Sequence, residues 1–318
     1  MSSQHEGASV SRSALAGITV LERGWLSSNN VLVHPQGDDA GATLIDSGHV
    51  THAEQTVALV AHALKGQSLA RIVNTHLHSD HCGGNAALQR AFGVPVFVPP
   101  GHADEVRRWD EQALGYAPTG QQCERFTMAG IVSPGDVLST GGRRFEVLAA
   151  PGHDPESVVL FDAANGLLIS ADALWENGFG VVFPELEGEQ AFEDVAAVLD
   201  VIERLPVSLV VPGHGRPFGD VAGALARARS RLATFVSDPR RHARHAAKVL
   251  LSYHLMEVGG ETPAQLLAWV TRTSLFATVW ADAGRSETSS PEAWAEVLLA
   301  ELVQSGAARH SGGRIQAS

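Results

Sequence analysis

The sequence has few cysteines, few basic residues and no long apolar run, all of which is typical of an ordinary globular enzyme. Only Cys82 and Cys123 are cysteines among 318 residues, which leaves room for one bridge but excludes a disulfide framework. No apolar run reaches the length of about 18 residues that a membrane-spanning helix needs. Lys and Arg number 23 against 35 Asp and Glu, and the net charge of −12 disfavours a nucleic-acid partner. The polar N-terminus also lacks the apolar segment of a signal peptide, so we expect a cytoplasmic protein.

What is present is enough apolar sequence for a large core, at 44% of the chain. We expect residues 1–14 to be a disordered tail and residues 15–237 to form a catalytic domain of alternating short strands and helices. Asp238-Pro239 breaks this pattern, and residues 238–318 are expected to form a small, mostly helical C-terminal domain. Helices are predicted over residues 51–65, 85–92, 102–114, 189–204, 219–236, 242–258, 263–273 and 291–305.

Four side chains that can bind metal lie within six positions, directly after the predicted strand Arg71–Thr75. They are His76, His78, Asp80 and His81. Imidazole nitrogens and carboxylate oxygens suit zinc and similar divalent ions. A density of four such groups is hard to explain as ordinary loop polarity, so we interpret this segment as a metal-binding loop.

Three further strand ends carry a side chain that can bind metal. Each follows a short apolar run, and the three residues are His153, Asp172 and His214. Strand ends hold functional groups rigidly while the following loop stays open. A single His after Pro-Gly is often only a turn residue, but three such sites together with the first cluster favour one shared metal centre.

The residues in this order resemble the metallo-β-lactamase-fold superfamily, whose pattern is His-x-His-x-Asp-His, then His, then Asp, then His. Asp46 in Leu44–Gly48 is similar to the superfamily's earlier Asp-x-Gly element. The resemblance covers about Ile18 to Phe235. It implies an α/β fold, a four-layer αββα sandwich, with the C-terminal helices added to it.

The resemblance also implies two metal ions per chain, expected to be Zn²⁺ with iron or manganese as alternatives. The ligands of the first ion would be His76, His78 and His153. The ligands of the second ion would be Asp80, His81 and His214. Asp172 would bridge both ions, Asp46 would orient the loop of ligands, and Asp80 would also steer a metal-bridging hydroxide that attacks the substrate.

The segment Asp80–Asn85 resembles the glyoxalase II group of thioester hydrolases, which includes esterases and lactonases. The region after His153 departs from glyoxalase II proper, because Asp154 and Glu156 stand where that group usually has Thr and Gly. No basic cluster suggests a site for the carboxylates of glutathione. The sequence therefore predicts a hydrolase of an ester, thioester or lactone bond without fixing the substrate.

Residues 240–318 resemble the winged-helix tail of the beta-lactamase-like protein 2 group. This tail has eight Lys and Arg against seven Asp and Glu, a balance that gives weak support for a phosphate-binding face. We expect it to wall the pocket or to form a homodimer. The expected partner is a small-molecule substrate, with neither a membrane nor a nucleic acid involved.

An apolar, glycine-rich loop follows Asp172, and three aromatic residues in or beside it are expected to line the substrate pocket: Trp175, Phe179 and Phe183. Two other activities stay open on the sequence. One is a mononuclear iron dioxygenase of the persulfide type, since this class resembles glyoxalase II closely. The other is a ribonuclease or phosphodiesterase that uses the winged-helix tail.

Overall fold

A computed structural model describes residues 13–318. The expected tail therefore lies, up to residue 12, outside the described residues. The strands of the catalytic region are β1 Ile18–Leu21, β2 Asn30–Val33, β3 Ala42–Ile45, β4 Leu69–Val73, β5 Val96–Val98, β6 Gly130–Ile131, β7 Val137–Thr140, β8 Arg143–Ala149, β9 Val158–Asp162, β10 Leu167–Ala171 and β11 Leu209–Pro212.

These strands form two sheets. The first has the order β1-β2-β3-β4-β5-β6, and the second has the order β11-β10-β9-β8-β7. Strands β3 to β6 run parallel, as do β10 and β11, whereas β1 to β3 and β7 to β10 pair antiparallel. The parallel pairs bring the carboxyl ends of several strands to shared edges, where functional loops are commonly placed.

The helices of the catalytic region are α1 Ala53–Leu64, α2 Ser79–Cys82, α3 Asn85–Phe92, α4 Ala103–Arg108, α5 Tyr116–Thr119, α6 Phe183–Leu186, α7 Phe192–Arg204 and α8 Val221–Ser237. Helices α1 and α3 cover the outer face of the first sheet, and α7 and α8 cover the outer face of the second. Val73 of one sheet and Val147 of the other lie in the core between them. The expected four-layer αββα sandwich is therefore confirmed.

The C-terminal segment contains α9 Pro239–Glu257, α10 Pro263–Arg272, α11 Ser274–Val279, α12 Pro291–Gln304 and the hairpin strands β12 Ala308–Ser311 and β13 Arg314–Ala317. Thr262 and Ser290 cap α10 and α12, and each is followed by proline at the first helical position. Trp294 is fully buried in a core that also takes in Val181 and Leu186 of the catalytic region. The segment is thus packed onto the sandwich through a continuous apolar core.

Two helix predictions need correction. The helix expected over residues 102–114 ends at Arg108, because Trp109 adopts a left-handed backbone with φ of 58°. The short helix Tyr116–Thr119 that follows is absent from the predicted helices. Among the described residues no helix is long and apolar enough to cross a membrane.

Candidate metal centre

The predicted ligands follow the carboxyl ends of four strands. The loop after β4 carries residues 76–81, here called the ligand loop, and β8 leads to His153. Asp172 follows β10 directly, and His214 lies two residues beyond β11. All seven predicted side chains meet in two adjoining groups, within each of which the ligand atoms lie within 4.8 Å of one another. Residues far apart in the sequence therefore share one site, because their strands, from both sheets, end on the same side of the sandwich.

The first group consists of His76, His78 and His153. The Nδ1–H of His153 donates to the carbonyl oxygen of Val181 at 2.5 Å, so Nε2 is the nitrogen available to a metal ion. That Nε2 lies 2.8 Å from Nδ1 of His78. Gly180 makes this arrangement possible, since a Cβ there would overlap the His153 ring.

The second group consists of Asp80, His81, Asp172 and His214, all of them buried. His214 Nε2 lies 2.9 Å from Asp80 Oδ2, and His81 Nε2 lies 3.4 Å from Asp172 Oδ1. The other carboxylate oxygen of Asp172 lies 3.4 Å from His153 Nε2, in the first group. Asp172 therefore stands between the two groups, as a shared ligand would.

Asp46 orients the second group through a hydrogen bond to His81. Its Oδ2 accepts a hydrogen bond from His81 Nδ1 at 2.8 Å and another from Thr75 Oγ1 at 2.8 Å, while Oδ1 accepts from the Thr75 N–H at 2.9 Å. Such a carboxylate fixes the tautomer of the imidazole and turns its other nitrogen toward the site. Asp46 adopts a φ of 57°, a conformation that Asp and Asn tolerate better than other residues with a side chain.

The titration of these side chains differs between the two groups. Burial lowers the pKa of His78 to about 4, helped by His153, and burial together with neighbouring histidines holds the pKa of His76 well below its usual range. Burial acts against a charged His81, but Asp46 and the other carboxylates outweigh it and raise its pKa. Likewise, burial is outweighed by histidines at Asp80, whose pKa is lowered. At neutral pH His76 and His78 are thus neutral imidazoles and Asp80 is an ionised carboxylate, the forms that bind metal.

Two buried atoms indicate that the site fits metal ions. The Nε2 atoms of His76 and His81 are buried and make no hydrogen bond within residues 13–318. Buried polar atoms normally have a hydrogen-bond partner. A buried nitrogen that has none and lies among other metal-binding atoms is therefore placed to bind a metal ion. The donor set, five imidazoles and two carboxylates, is one that divalent transition metals prefer.

Three residues that the sequence did not single out also adjoin the centre. Trp25 is 61% exposed, and its ring stacks on His214 with centroids 4.7 Å apart. The buried Asp154 places a carboxylate oxygen 3.9 Å from Nε2 of His78. Tyr253 of α9 contacts Ser79 in the ligand loop. Asp154 follows a predicted ligand directly, but nothing in the sequence marks Trp25 or Tyr253, which reach the site only through the fold.

The three aromatic residues expected in the substrate pocket lie in different surroundings. Phe183 lines a cavity of about 350 Å³ beside His78. Trp175 donates its Nε1–H to Asp172 Oδ1 at 3.2 Å, so it also holds the shared carboxylate. The expectation for Phe179 needs correction, because its side chain is only 2% exposed and packs edge to face on Phe235 in the core. Phe179 therefore packs in the core under its loop and does not line the cavity.

Cys82 is buried beside the ligand loop, as expected for a small core side chain. Its Sγ lies 3.8 Å from Sγ of Cys123, and both thiols are free. The Cys82 Sγ lies 3.4 Å from the carbonyl oxygen of Leu77 and 3.3 Å from that of His78. Burial raises the pKa of Cys82, which leaves it a neutral thiol.

The sequence profile of the metallo-beta-lactamase superfamily matches residues 23–214, which include every predicted ligand. The chain belongs to this superfamily. Superfamily membership and the His/Asp cluster together imply a divalent metal ion at the site.

Several proteins are similar to this superfamily member over part of their length. An uncharacterized protein of Aquifex aeolicus is 32% identical over 54% of this chain and 78% of its own length. A hydroxyacylglutathione hydrolase of a Chelativorans species is 24% identical over 60% of this chain and 64% of its own. Human acyl-coenzyme A thioesterase MBLAC2 is 26% identical over 46% of this chain and 56% of its own. The chain thus spans a little over half the length of these two named enzymes.

Solved structures of the superfamily extend the likeness of the fold to the C-terminal helices. A metallo-beta-lactamase family protein from Thermus thermophilus matches 96% of this chain and 99% of its own, with a TM-score of 0.56 and 22% identity. A beta-lactamase domain protein from Burkholderia ambifaria matches 95% of this chain and 92% of its own, with a TM-score of 0.55 and 22% identity. Superfamily proteins can therefore share this fold over nearly the whole chain.

Proposed function

We propose that this superfamily member is a binuclear zinc hydrolase that cleaves an ester, thioester or lactone bond. The observation that carries the proposal is the position of Asp172 between two complete donor groups. His76, His78 and His153 would hold one ion, and Asp80, His81 and His214 the other. Two bound divalent ions would supply a water of lowered pKa and polarise the scissile carbonyl.

The side chains around this centre have separate tasks in the proposal. The lowered pKa of Asp80 keeps this carboxylate ionised, so it can accept a hydrogen bond that orients the attacking water. Asp46 keeps His81 in one tautomer. Trp175 fixes one oxygen of Asp172. None of these steps needs a serine or cysteine nucleophile, in keeping with the neutral thiol of Cys82.

The cavity beside His78 restricts the charge that a substrate can carry. Its lining includes the carboxylates of Asp154, Glu187 and Glu189, and no Lys or Arg of the described chain is among its lining residues. The part of a substrate that lies in this cavity would meet repulsion from these carboxylates if it carried several negative charges, and would find no Lys or Arg to bind it. This favours a neutral or cationic substrate, although two relatives carry the names of enzymes for glutathione and coenzyme A thioesters.

A panel of thioesters with one acyl group on a neutral, a cationic and an anionic thiol tests this preference. We expect kcat/KM to be lowest for the anionic thioester, and Glu187→Gln with Glu189→Gln to narrow the difference. Glu193→Gln with Glu296→Gln, two exposed residues outside the cavity lining, is the charge-matched control. A preference for the anionic thioester would contradict the proposed substrate class but leave the hydrolase standing.

Asp80→Ala tests the hydrolase itself. We expect it to abolish turnover while the circular dichroism spectrum stays near that of the parent protein. The exposed Asp194→Ala, on α7, is the control and should keep full activity. An active Asp80→Ala enzyme would show that this carboxylate has no part in the reaction.

The two other activities have less support from the described residues. In a mononuclear iron dioxygenase, the group Asp80, His81 and His214 would hold no ion of its own. In a two-metal hydrolase all three residues bind the second ion. A nucleic-acid enzyme needs a basic surface, but α12 of the tail carries three Glu and neither Lys nor Arg. Metal content and oxygen consumption separate the first alternative from the hydrolase, and RNA binding at low salt separates the second.

A further inference from the structure

Helix α9 of the C-terminal segment reaches the ligand loop directly. The hydroxyl oxygen of Tyr253 lies 2.6 Å from Oγ of Ser79, which is completely buried. Ser79 stands between His78 and Asp80, one proposed ligand of each ion. A side chain 174 positions away in sequence thus contacts the residue that joins the two donor groups.

The hydrogen bonds around Ser79 have a defined direction. Its hydroxyl donates to Oε1 of Gln121 at 2.8 Å, and a serine hydroxyl has only one proton to give. Tyr253 must therefore donate its own proton to Ser79 Oγ. With one bond donated and one accepted, the Ser79 side chain is fixed at the start of α2, where the ligand loop turns from His78 to Asp80.

A second side chain of α9 strengthens this contact. Glu257, one turn after Tyr253, accepts the N–H of Gln122 at 2.9 Å and places the same oxygen 3.2 Å from Nε2 of the buried His49. The Tyr253 ring packs edge to face on His49, with centroids 5.6 Å apart. Helix α9 therefore contacts the segment that follows Asp46, the ligand loop, and the stretch of chain after α5.

We propose that Tyr253 is a positioning residue for the metal centre, acting through Ser79 to set the distance between the His78 and Asp80 side chains. On this account the C-terminal segment is part of the active site and more than a cover for the sandwich. The inference rests on the proposed metal-binding role of the ligand loop. It does not depend on which bond the enzyme cleaves.

Tyr253→Phe removes the hydroxyl and keeps the ring against His49. Two readouts apply to the full chain: the dissociation constants of Zn²⁺ measured by competition with a chromogenic chelator, and the visible absorption spectrum of the Co²⁺-substituted protein. We expect at least one Zn²⁺ to bind about three- to tenfold more weakly, less than the roughly 10–100-fold typical of a residue that touches a ligand. The Co²⁺ bands should shift, because the angle between ligands changes.

Val249→Ala is the control on the same helix, since Val249 packs against the C-terminal core. It should lower the unfolding midpoint without moving either metal readout. If it weakened Zn²⁺ binding as much as Tyr253→Phe does, general loss of stability would explain both results and the positioning role would be wrong.

A double-mutant cycle with Ser79→Ala tests the route. If Tyr253 acts through Ser79, adding Tyr253→Phe to Ser79→Ala should change the dissociation constants by less than twofold. Effects that multiply, or an unchanged Tyr253→Phe protein, would overturn the proposal, and so would a parent protein that binds no Zn²⁺. A protein that passes these tests but hydrolyses no thioester, ester or lactone would refute the proposed function alone.

Discussion

Replacing Asp46 by Asn tests how the second donor group is held. Asn suits the φ of 57° at this position, so the change does not strain the backbone. Its amide oxygen can still accept the Thr75 N–H, but the NH₂ group now faces His81 Nδ1 and Thr75 Oγ1, both of which donate to Oδ2 in the parent protein. The hydrogen bond from His81 Nδ1 to the carboxylate is lost, whereas the Thr75 hydroxyl can turn and accept from the new NH₂ group.

The size of the effect follows from the lost bond. A hydrogen bond to a charged group contributes about 1.5–3 kcal/mol, so Asp46→Asn should lower the unfolding free energy by about that amount. Metal affinity should fall about 10–100-fold, because His81 loses the partner that fixes its tautomer. Urea unfolding and chelator competition measure the two quantities separately.

Asp162→Asn is the matched control, since Asp162 is a buried carboxylate paired with Arg143 at 2.9 Å and is not one of the metal-binding side chains. Breaking that pair should cost about 3–5 kcal/mol of stability while metal affinity stays unchanged. If Asp46→Asn bound both ions as tightly as the parent protein, the orienting role of Asp46 would be refuted. If Asp162→Asn also lost metal affinity, the effect would be one of general stability.

Three further results are expected. Gly213→Ala should weaken metal binding at least about tenfold, since a Cβ at this position would overlap Asp172 Oδ1; normal affinity in a chelator competition would speak against it. Burial, with His245 and Arg231, lowers the pKa of His242 to about 3. As the pH falls below about 6.5, the His242 imidazole is therefore protonated in the unfolded state but not in the folded state. The folded state loses stability over this range, down to about pH 3. His242→Gln should therefore remove up to about 2 kcal/mol of the fall in unfolding free energy between about pH 6.5 and 5, and an unchanged slope would refute this. Removing metal with a chelator should lower the unfolding midpoint, and Zn²⁺ at about 100 times its dissociation constant should restore about 2.7 kcal/mol; a midpoint insensitive to both would count against a metal bound to the folded state.

The resemblance to the metallo-β-lactamase-fold superfamily predicted the sandwich, and the metal-binding side chains after one strand and at three further strand ends predicted a shared site. Helix α3 was predicted at its observed bounds, since it lies between Gly84 and the left-handed Gly93. Strand β7 was missed, because its four residues show only two periods of alternation. Helix α11 was missed as well, since six residues are too few to establish a helical period.

What the sequence did not indicate are contacts between distant segments. Trp25 stacks on His214 and Tyr253 reaches Ser79 only after the sandwich and the C-terminal helices have packed. Phe179 was misplaced for a related reason, because an apolar residue in a glycine-rich loop can face either the cavity or the core. The packing of Phe235 on its ring decides for the core.

The number of metal ions per chain tests the central claim most directly. Metal-free protein titrated with Zn²⁺ should bind two ions, and Asp172→Ala should weaken both, because this carboxylate lies within 3.4 Å of a ligand nitrogen in each group. Binding of a single ion by the parent protein, or an Asp172→Ala variant that binds two ions with unchanged affinity, would contradict the account.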